Sequence, residues 1–183
     1  TLPFIGGRRN SETINIIMGA IVVAIILPLT QEDLTERNIG KIIHDSFVGY
    51  FQSRPKMIRM FLGKFATSHY FINRMRKGID ENAKAEYEDN FQLENIDLAG
   101  AAFDFGYNYT KCALLKIFSD NGVEEYLKYV CLGDYTLFTS IGVGFTRTQT
   151  IAHGAPICDF RFKRKGKNIE AWPPEYLPEW KVK

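Results

Sequence analysis

Residues 145–162 contain two runs of alternating side chains around a Gly-Ala-Pro segment, and this pattern constrains the fold more than any other in the chain. Because successive side chains of a strand point to opposite faces, the two runs predict an antiparallel hairpin. With a loop at 154–157, His153 lies opposite Cys158. A two-residue turn would shift the register and separate this pair, although the alternation within each strand would remain.

The predicted hairpin has one polar face and one largely apolar face. The polar face should be wet and carries Thr146, Thr148, Thr150, Ala152, Asp159, Arg161 and Lys163. The apolar face includes three polar side chains, Arg147, Gln149 and His153. Burying an unpaired polar group is costly, so these three need partners. They either belong to a pocket, or lie at the sheet margin and bond to the backbone.

An unbroken apolar run occupies residues 16–27. A bilayer span needs about 20 such residues, so the run favours a buried core helix and no transmembrane span is expected. The alternatives are a membrane or signal segment, since Arg8 and Arg9 precede the run, and a buried strand, since Ile and Val dominate it. Ser11 is a candidate N-cap and Pro28 a candidate terminator.

Apolar residues recur at helical spacing through the first part of the chain, about residues 10–86, and predict a helical layer there. Its further helices are expected at about 32–51, 55–65 and 68–77. Strands enter in the part from about 88 to 166, and they are expected at 91–94, 101–106 and 109–118. A helix is expected over 123–141, interrupted near Cys131 or Gly133.

The length of 183 residues suits a single domain, 1–183. Helices first and strands later predict an α+β fold, with an N-terminal helical layer packed on an antiparallel sheet. The last residues, 167–183, form a tail rich in proline and tryptophan that suits no regular element. It either packs its aromatic side chains over the body or binds a partner.

Charge and cysteine content restrict the class of protein. The formal net charge of +2 gives no electrostatic reason to expect nucleic acid as a partner. Basic clusters at 54–59, 74–77 and 161–167 have acidic residues near them in sequence and are expected to be solvated surface. Three widely spaced cysteines do not suggest a disulfide framework, so a reducing, cytoplasmic compartment is expected. A homo-oligomer is possible.

Cysteines and one carboxylate supply the candidate chemistry. Cys131 and Asp134 are three residues apart and share a face if they lie on one helix. They could form an acid–base pair, a metal site or a nucleophile with its orienting group, or Cys131 could simply be a core residue. Cys112, in a predicted strand, is more typical of a core. The cysteine spacings match no standard zinc motif, so no cofactor is indicated, although a divalent metal is possible.

Three segments together resemble one family, the L-2-amino-thiazoline-4-carboxylic acid hydrolases. They are Phe103–Ala113, Tyr129–Asp134 with its Cys-Leu-Gly-Asp, and Arg147–Phe162 with Arg-Thr-Gln-Thr and Cys-Asp-Phe-Arg-Phe. The match covers about residues 90–166. The family is similar to the 4-vinyl-reductase-type and transport-particle-type ligand-binding domains, so the resemblance implies a helical layer on a twisted antiparallel sheet.

The resemblance implies a hydrolase that opens a small cyclic amidine or related C–N heterocycle, giving an N-carbamoyl cysteine. Such a reaction needs a base for water and an acid for the ring. Asp134 could activate water and His153 could exchange protons near neutral pH. Cys131 or Cys158 could act as a nucleophile if its pKa were lowered, with Cys112 as a further candidate.

The same resemblance implies a small-molecule substrate whose carboxylate needs a cation. Arg147 could clamp that carboxylate, and Gln149 and Thr150 are the remaining candidate substrate-binding residues. Family alone does not fix function. The alternatives are a non-catalytic small-molecule-binding or sensory domain, and an interaction protein that uses the tail.

Overall fold

The centre of the molecule is one antiparallel sheet, observed in a computed structural model that describes residues 2–82, 84, 87–97 and 101–181. Its strands are β1 (Gln92–Asn95), β2 (Phe105–Lys111), β3 (Val143–Thr146) and β4 (Cys158–Arg164). They are ordered β1-β2-β4-β3, and every neighbouring pair is antiparallel. The sheet thus has β2 and β4 at its centre.

Helices precede the sheet and also connect its strands. The α-helices of the described residues are α1 (Thr13–Leu29), α2 (Glu36–Gln52), α3 (Lys56–Ala66), α4 (His69–Asn82), α5 (Ala113–Asp120), α6 (Leu127–Val130) and α7 (Leu132–Ile141). Short 3₁₀ turns are Gly7–Arg9, Glu124–Tyr126, Ile151–His153, Pro174–Tyr176 and Pro178–Trp180. The predicted α+β class is confirmed. The expected limits of the helical part at residue 86 and of the tail at 183 lie outside the described residues.

The helix boundaries follow local capping and packing. α2 begins after Thr35, whose hydroxyl accepts a hydrogen bond from the backbone N–H of Asn38, so the helix starts a few residues later than predicted. The predicted interruption near Cys131 is confirmed, because α6 ends at Val130 and α7 begins at Leu132.

The predicted strand pair at 101–106 and 109–118 is wrong. β2 runs without a turn through Tyr107 and Asn108, and the Asn108 amide is fixed between Glu94 of β1 and Arg161 of β4. After Cys112 the chain forms α5, whose buried residues Ala113, Ile117 and Phe118 recur at helical spacing. Cys112 therefore ends the strand segment and stands at the N-cap of α5.

The predicted hairpin register is also wrong. Phe145 pairs with Phe162 and Thr146 with Arg161, and β3 ends there, so His153 and Cys158 are not strand partners. The buried carboxylate of Asp159 explains the difference. It accepts hydrogen bonds from the backbone N–H groups of Thr148 and Gln149 at 2.8 and 2.9 Å and from the Thr148 hydroxyl at 2.8 Å, which turns the chain away from β4.

The connection between β3 and β4 therefore buries residues expected to be wet. Asp159 is 7% exposed and Thr150 is fully buried. Thr150 is held by its own turn, because its carbonyl accepts hydrogen bonds from the N–H groups of His153 and Ala155. The prediction of a polar, solvated face fails at these two residues.

The apolar run near the start forms α1, as predicted, but only one side of it is covered. Ile16, Val22, Val23 and Ile26 are buried, whereas Ile14, Ile17, Ile21 and Ile25 face outward and are exposed. Pro28 lies in the last turn of the helix. None of the helices in the described part of the chain is long and apolar enough to cross a membrane.

The tail packs over the body of the domain. Leu177 and Glu179 are fully buried, and the Trp180 ring lies 5.2 Å from the Tyr129 ring and 4.9 Å from that of His153. The first of the two expectations for the tail, packing on the body, is what the structure shows.

Gly63 allows α3 to approach α7 closely, because a Cβ at this position would lie 1.9 Å from the carbonyl oxygen of Ile141. We expect Gly63→Ala to destabilise the fold by about 1–3 kcal/mol, since backbone cannot yield as a side chain can. Gly49→Ala in α2 is the matched control, because nothing lies within 4 Å of its Cβ position. It should stabilise by about 0.5–1 kcal/mol. Equal urea unfolding midpoints for the two variants would contradict the packing argument.

Candidate active site

A cavity of ≈ 190 Å³ lies between α1, α2, α7 and the central strands of the sheet. Drug-sized pockets are typically about 300–1,000 Å³, so this one suits a single small ring compound. Most of its wall is apolar, formed by Met18, Val22, Phe47, Phe51, Phe91, Leu114, Val130, Leu137 and Phe160. The few polar groups that also line the cavity therefore determine which reactions it can support.

Five of the residues singled out from the sequence line this cavity: Cys112, Cys131, Asp134, Arg147 and Cys158. They lie in different elements of the fold. Cys112 follows β2, Cys131 lies at the break between α6 and α7, and Asp134 lies in the first turn of α7. Arg147 follows β3, and Cys158 begins β4. The break at Cys131 matters because it turns both Cys131 and Asp134 toward the cavity. His153, Gln149 and Thr150 are not among the residues that line it.

Arg147 holds a buried ionic network. Its side chain is 1% exposed, and its Nη1 donates to Asp134 Oδ2 at 2.8 Å. Its Nη2 donates to Glu179 Oε1 at 3.0 Å and to the Cys131 carbonyl at 3.1 Å, and its Nε donates to Glu179 at 3.2 Å. Four of its five N–H groups thus bond to described residues, and one at Nη1 has no hydrogen-bond partner among them.

Asp134 is the carboxylate of this network that reaches the cavity. Burial raises its pKa above 3.8, and the charge and hydrogen bond of Arg147 lower it in part. Glu179, on the far side of Arg147, is fully buried and accepts a hydrogen bond from the Tyr135 hydroxyl at 3.0 Å. With both carboxylates ionised, the three groups carry a net charge of −1.

The three thiols are free and line the same cavity, where Cys158 is buried and Cys112 and Cys131 are half-buried. Burial raises the pKa of Cys112 to about 12 and raises those of Cys131 and Cys158 as well. A thiolate nucleophile requires the opposite shift, a lowered pKa. With pKa values raised in this way, the thiols are protonated at neutral pH and form part of the wall.

His153 lies behind the cavity, in the turn that follows β3. Its Nδ1 is 3.0 Å from the Thr150 hydroxyl, and its ring packs edge-on against Trp180. Burial, followed by the positive charges of Lys128 and Arg147, lowers its pKa from 6.5 to about 4. The imidazole is therefore neutral at pH 7, and the proton exchange proposed for it near neutral pH would need a changed environment.

The lowered pKa of His153 predicts a pH-dependent stability. The folded state binds this proton less well than the unfolded state, so stability present above about pH 6.5 is lost as the pH falls toward 4. We expect His153→Gln to flatten the decline of the unfolding free energy in that interval, measured by urea titration at several pH values. His69→Gln, exposed on α4, is the control. Parallel pH curves for wild type and His153→Gln would contradict this account.

Two acidic residues of the site were not predicted from the sequence. Glu12, just before α1, accepts hydrogen bonds from the Asn15 amide at 2.8 Å and the Tyr109 hydroxyl at 3.2 Å, and both partners line the cavity. Burial raises its pKa, against the effect of these hydrogen bonds. Its only sequence signal is that it is the sole acidic residue among the first 31. Glu179 lies in the tail, which offered no pattern that joins it to Arg147.

No group of three or more His, Cys, Asp or Glu side chains in the described ranges is arranged to hold a metal ion. The cavity thus offers a carboxylate beside a guanidinium, a second carboxyl behind two polar wall residues, and three neutral thiols.

Comparison with known proteins gives one match. The family model of the L-2-amino-thiazoline-4-carboxylic acid hydrolases matches residues 15–162, from the first turn of α1 to the middle of β4, and this range includes every cavity-lining residue. No curated protein and no solved structure matches the chain significantly. The matched region confirms and extends the resemblance seen in three segments of the sequence, and the chain belongs to the L-2-amino-thiazoline-4-carboxylic acid hydrolase family.

Proposed function

We propose that this protein hydrolyses a small cyclic amidine of the 2-amino-thiazoline class inside the cavity. The observation that carries the proposal is the position of Asp134, a carboxylate with a side chain 33% exposed, at the wall of a cavity sized for one ring and anchored by the buried Arg147. Family membership makes this chemistry the first to test. An apolar wall around one anchored carboxylate favours proton transfer to and from a bound ring.

In the proposed reaction Asp134 transfers both protons of water. As the water oxygen bonds to the ring carbon between nitrogen and sulfur, Asp134 takes one proton and delivers it to the ring nitrogen, which receives the C=N electron pair. The tetrahedral carbon then loses the proton of its hydroxyl through Asp134 as the C=O bond forms. The C–S bond breaks, and the leaving sulfur takes its electron pair and that proton.

The other residues of the cavity support this step. Arg147 keeps Asp134 oriented and offers its remaining N–H to an oxygen of the substrate. Glu12, whose pKa is raised by burial, places a second carboxyl close to Tyr109 and Asn15. The neutral thiols of Cys112, Cys131 and Cys158 contribute a polarisable wall.

The charge of the network bears on substrate choice. Arg147 is already matched by two carboxylates of the chain, so a substrate carboxylate would meet a network of net charge −1. One guanidinium N–H favours binding of such a group and the net charge opposes it. The test must therefore include a ring with and a ring without the carboxylate.

The experiment is an incubation of the full chain with L-2-amino-thiazoline-4-carboxylic acid and, separately, with 2-amino-2-thiazoline. We expect at least one of them to gain the mass of one water and to yield a free thiol in the small-molecule fraction. Ligand binding without any such product would overturn the hydrolase proposal. It would favour a sensory or binding domain, which the apolar wall and the protonated thiols would also suit.

A further inference from the structure

The outer face of α3 exposes long apolar side chains that nothing in the described chain covers. Met57 is 83% and Phe61 68% exposed, and Ile58, Met60, Leu62 and Phe65 are exposed as well. Gly63 is the one buried residue of α3 and contacts Ile141. Met57, Phe61 and Phe65 follow at four-residue spacing on the side away from that contact. The Phe65 ring meets Phe71 at 5.2 Å, which joins α3 to α4.

All the charged residues in the segment that contains α3 and most of α4 are basic. Residues 46–79 contain no acidic residue and seven basic ones: Arg54, Lys56, Arg59, Lys64, Arg74, Arg76 and Lys77. The chain as a whole has a net charge of +2, so the remainder carries −5 against +7 here. None of the seven forms an ion pair with a described residue. Two basic clusters that we expected to be ordinary solvated surface thus lie next to the exposed apolar residues of α3 in the sequence.

We infer that the α3–α4 face docks on an anionic lipid bilayer, with α3 lying in the plane of the interface. A short basic helix whose apolar residues point outward is the pattern of interfacial membrane binding. Clusters of four to eight Lys or Arg residues are attracted to the negative surface of such membranes.

Other occupants fit this face less well. A second copy of the chain would bring seven positive charges against seven, and like charges across an interface oppose association. A folded acidic partner would need a groove shaped to receive Met57 and Phe61, which are 83% and 68% exposed. Acyl chains deform around such side chains, while lipid phosphates neutralise the unpaired cations. The inference is independent of the hydrolase proposal, since it involves no residue that touches Asp134.

The test is flotation of the 183-residue chain with vesicles. We expect it to bind phosphatidylcholine vesicles that contain about one third phosphatidylserine, to bind pure phosphatidylcholine at least about 25-fold more weakly, and to be released by high salt. Lys56→Glu with Lys64→Glu should weaken binding by about 25-fold or more, about 5-fold for each charge. Met57→Ser with Phe61→Ser should also weaken it. All four side chains are exposed, so thermal unfolding should be unchanged.

Matched controls are Lys167→Glu and Tyr176→Ser, both exposed and in the tail, and both should bind vesicles as the wild type does. Equal binding to neutral and anionic vesicles, or no loss of binding in the α3 variants, would overturn the proposal. So would a concentration-dependent dimer in analytical ultracentrifugation that dissociates on Met57→Ser with Phe61→Ser, because the face would then belong to self-association.

Discussion

Asp134→Asn should lower kcat for ring opening by about 10²–10⁴-fold, the usual contribution of a positioned proton-transfer group. Asparagine keeps the size of the side chain and can still accept a hydrogen bond from Arg147, but it cannot take a proton from water. KM should change little, because the apolar wall that surrounds the ring is untouched. Single-turnover measurement of the hydrolysed product distinguishes the chemical step from binding.

The pH profile gives a second readout of the same residue. Asp134 must be ionised to act as a base, and burial raises its pKa above 3.8. We therefore expect kcat/KM to rise with pH through an acid limb that lies above 3.8, and Asp134→Asn to remove that limb from the residual activity. Asp45→Asn, an exposed residue in an ion pair with Lys41, is the control and should leave the profile unchanged. Retained turnover in Asp134→Asn would show that another group activates water.

The local patterns of the sequence predict every α-helix of the described residues except α5, which forms where a strand was expected, and they predict β1 but not the limits of β2. α1 follows from its unbroken apolar run and α2 from apolar spacing, and the break between α6 and α7 falls at Cys131, one of the two positions expected for it. The register of β3 with β4 could not be predicted, because it depends on which side chain bonds to the backbone of the connection. Asp159 looks like any outward strand residue until its partners Thr148 and Gln149 are known.

The site shows the same limit. Residue type and family resemblance led to Cys112, Cys131, Asp134, Arg147 and Cys158, and all five line one cavity. His153 was selected from a register that does not occur. Glu179 and Glu12 were not predicted, because each forms its hydrogen bonds with a residue far away in the sequence. Glu179 bonds to Arg147, and Glu12 bonds to Tyr109. These contacts form only when the tail and α1 pack against the rest of the domain, so the local sequence pattern does not predict them.

Arg147→Met should cost about 3–5 kcal/mol of unfolding free energy, the second large effect we expect. Arg147 is 1% exposed, and its loss would leave the fully buried Glu179 with the Tyr135 hydroxyl as its only side-chain hydrogen-bond donor among the described residues. An uncompensated buried carboxylate must either remain charged at high desolvation cost or take up a proton. Urea unfolding, with the midpoint and slope compared to wild type, measures the loss.

We expect part of the lost unfolding free energy to be recovered when the two carboxylates are removed together with Arg147. Arg147→Met combined with Asp134→Asn and Glu179→Gln leaves no buried charge in the network, so the triple variant should be more stable than Arg147→Met alone, although it should be inactive. Arg37→Met is the matched control. Arg37 also pairs with a tail glutamate, Glu175, but both side chains are about half exposed, so its loss should scarcely move the midpoint. If Arg147→Met behaved like Arg37→Met, or if the triple variant were no more stable than the single one, Arg147 would not be the residue that ties the tail to the active-site wall.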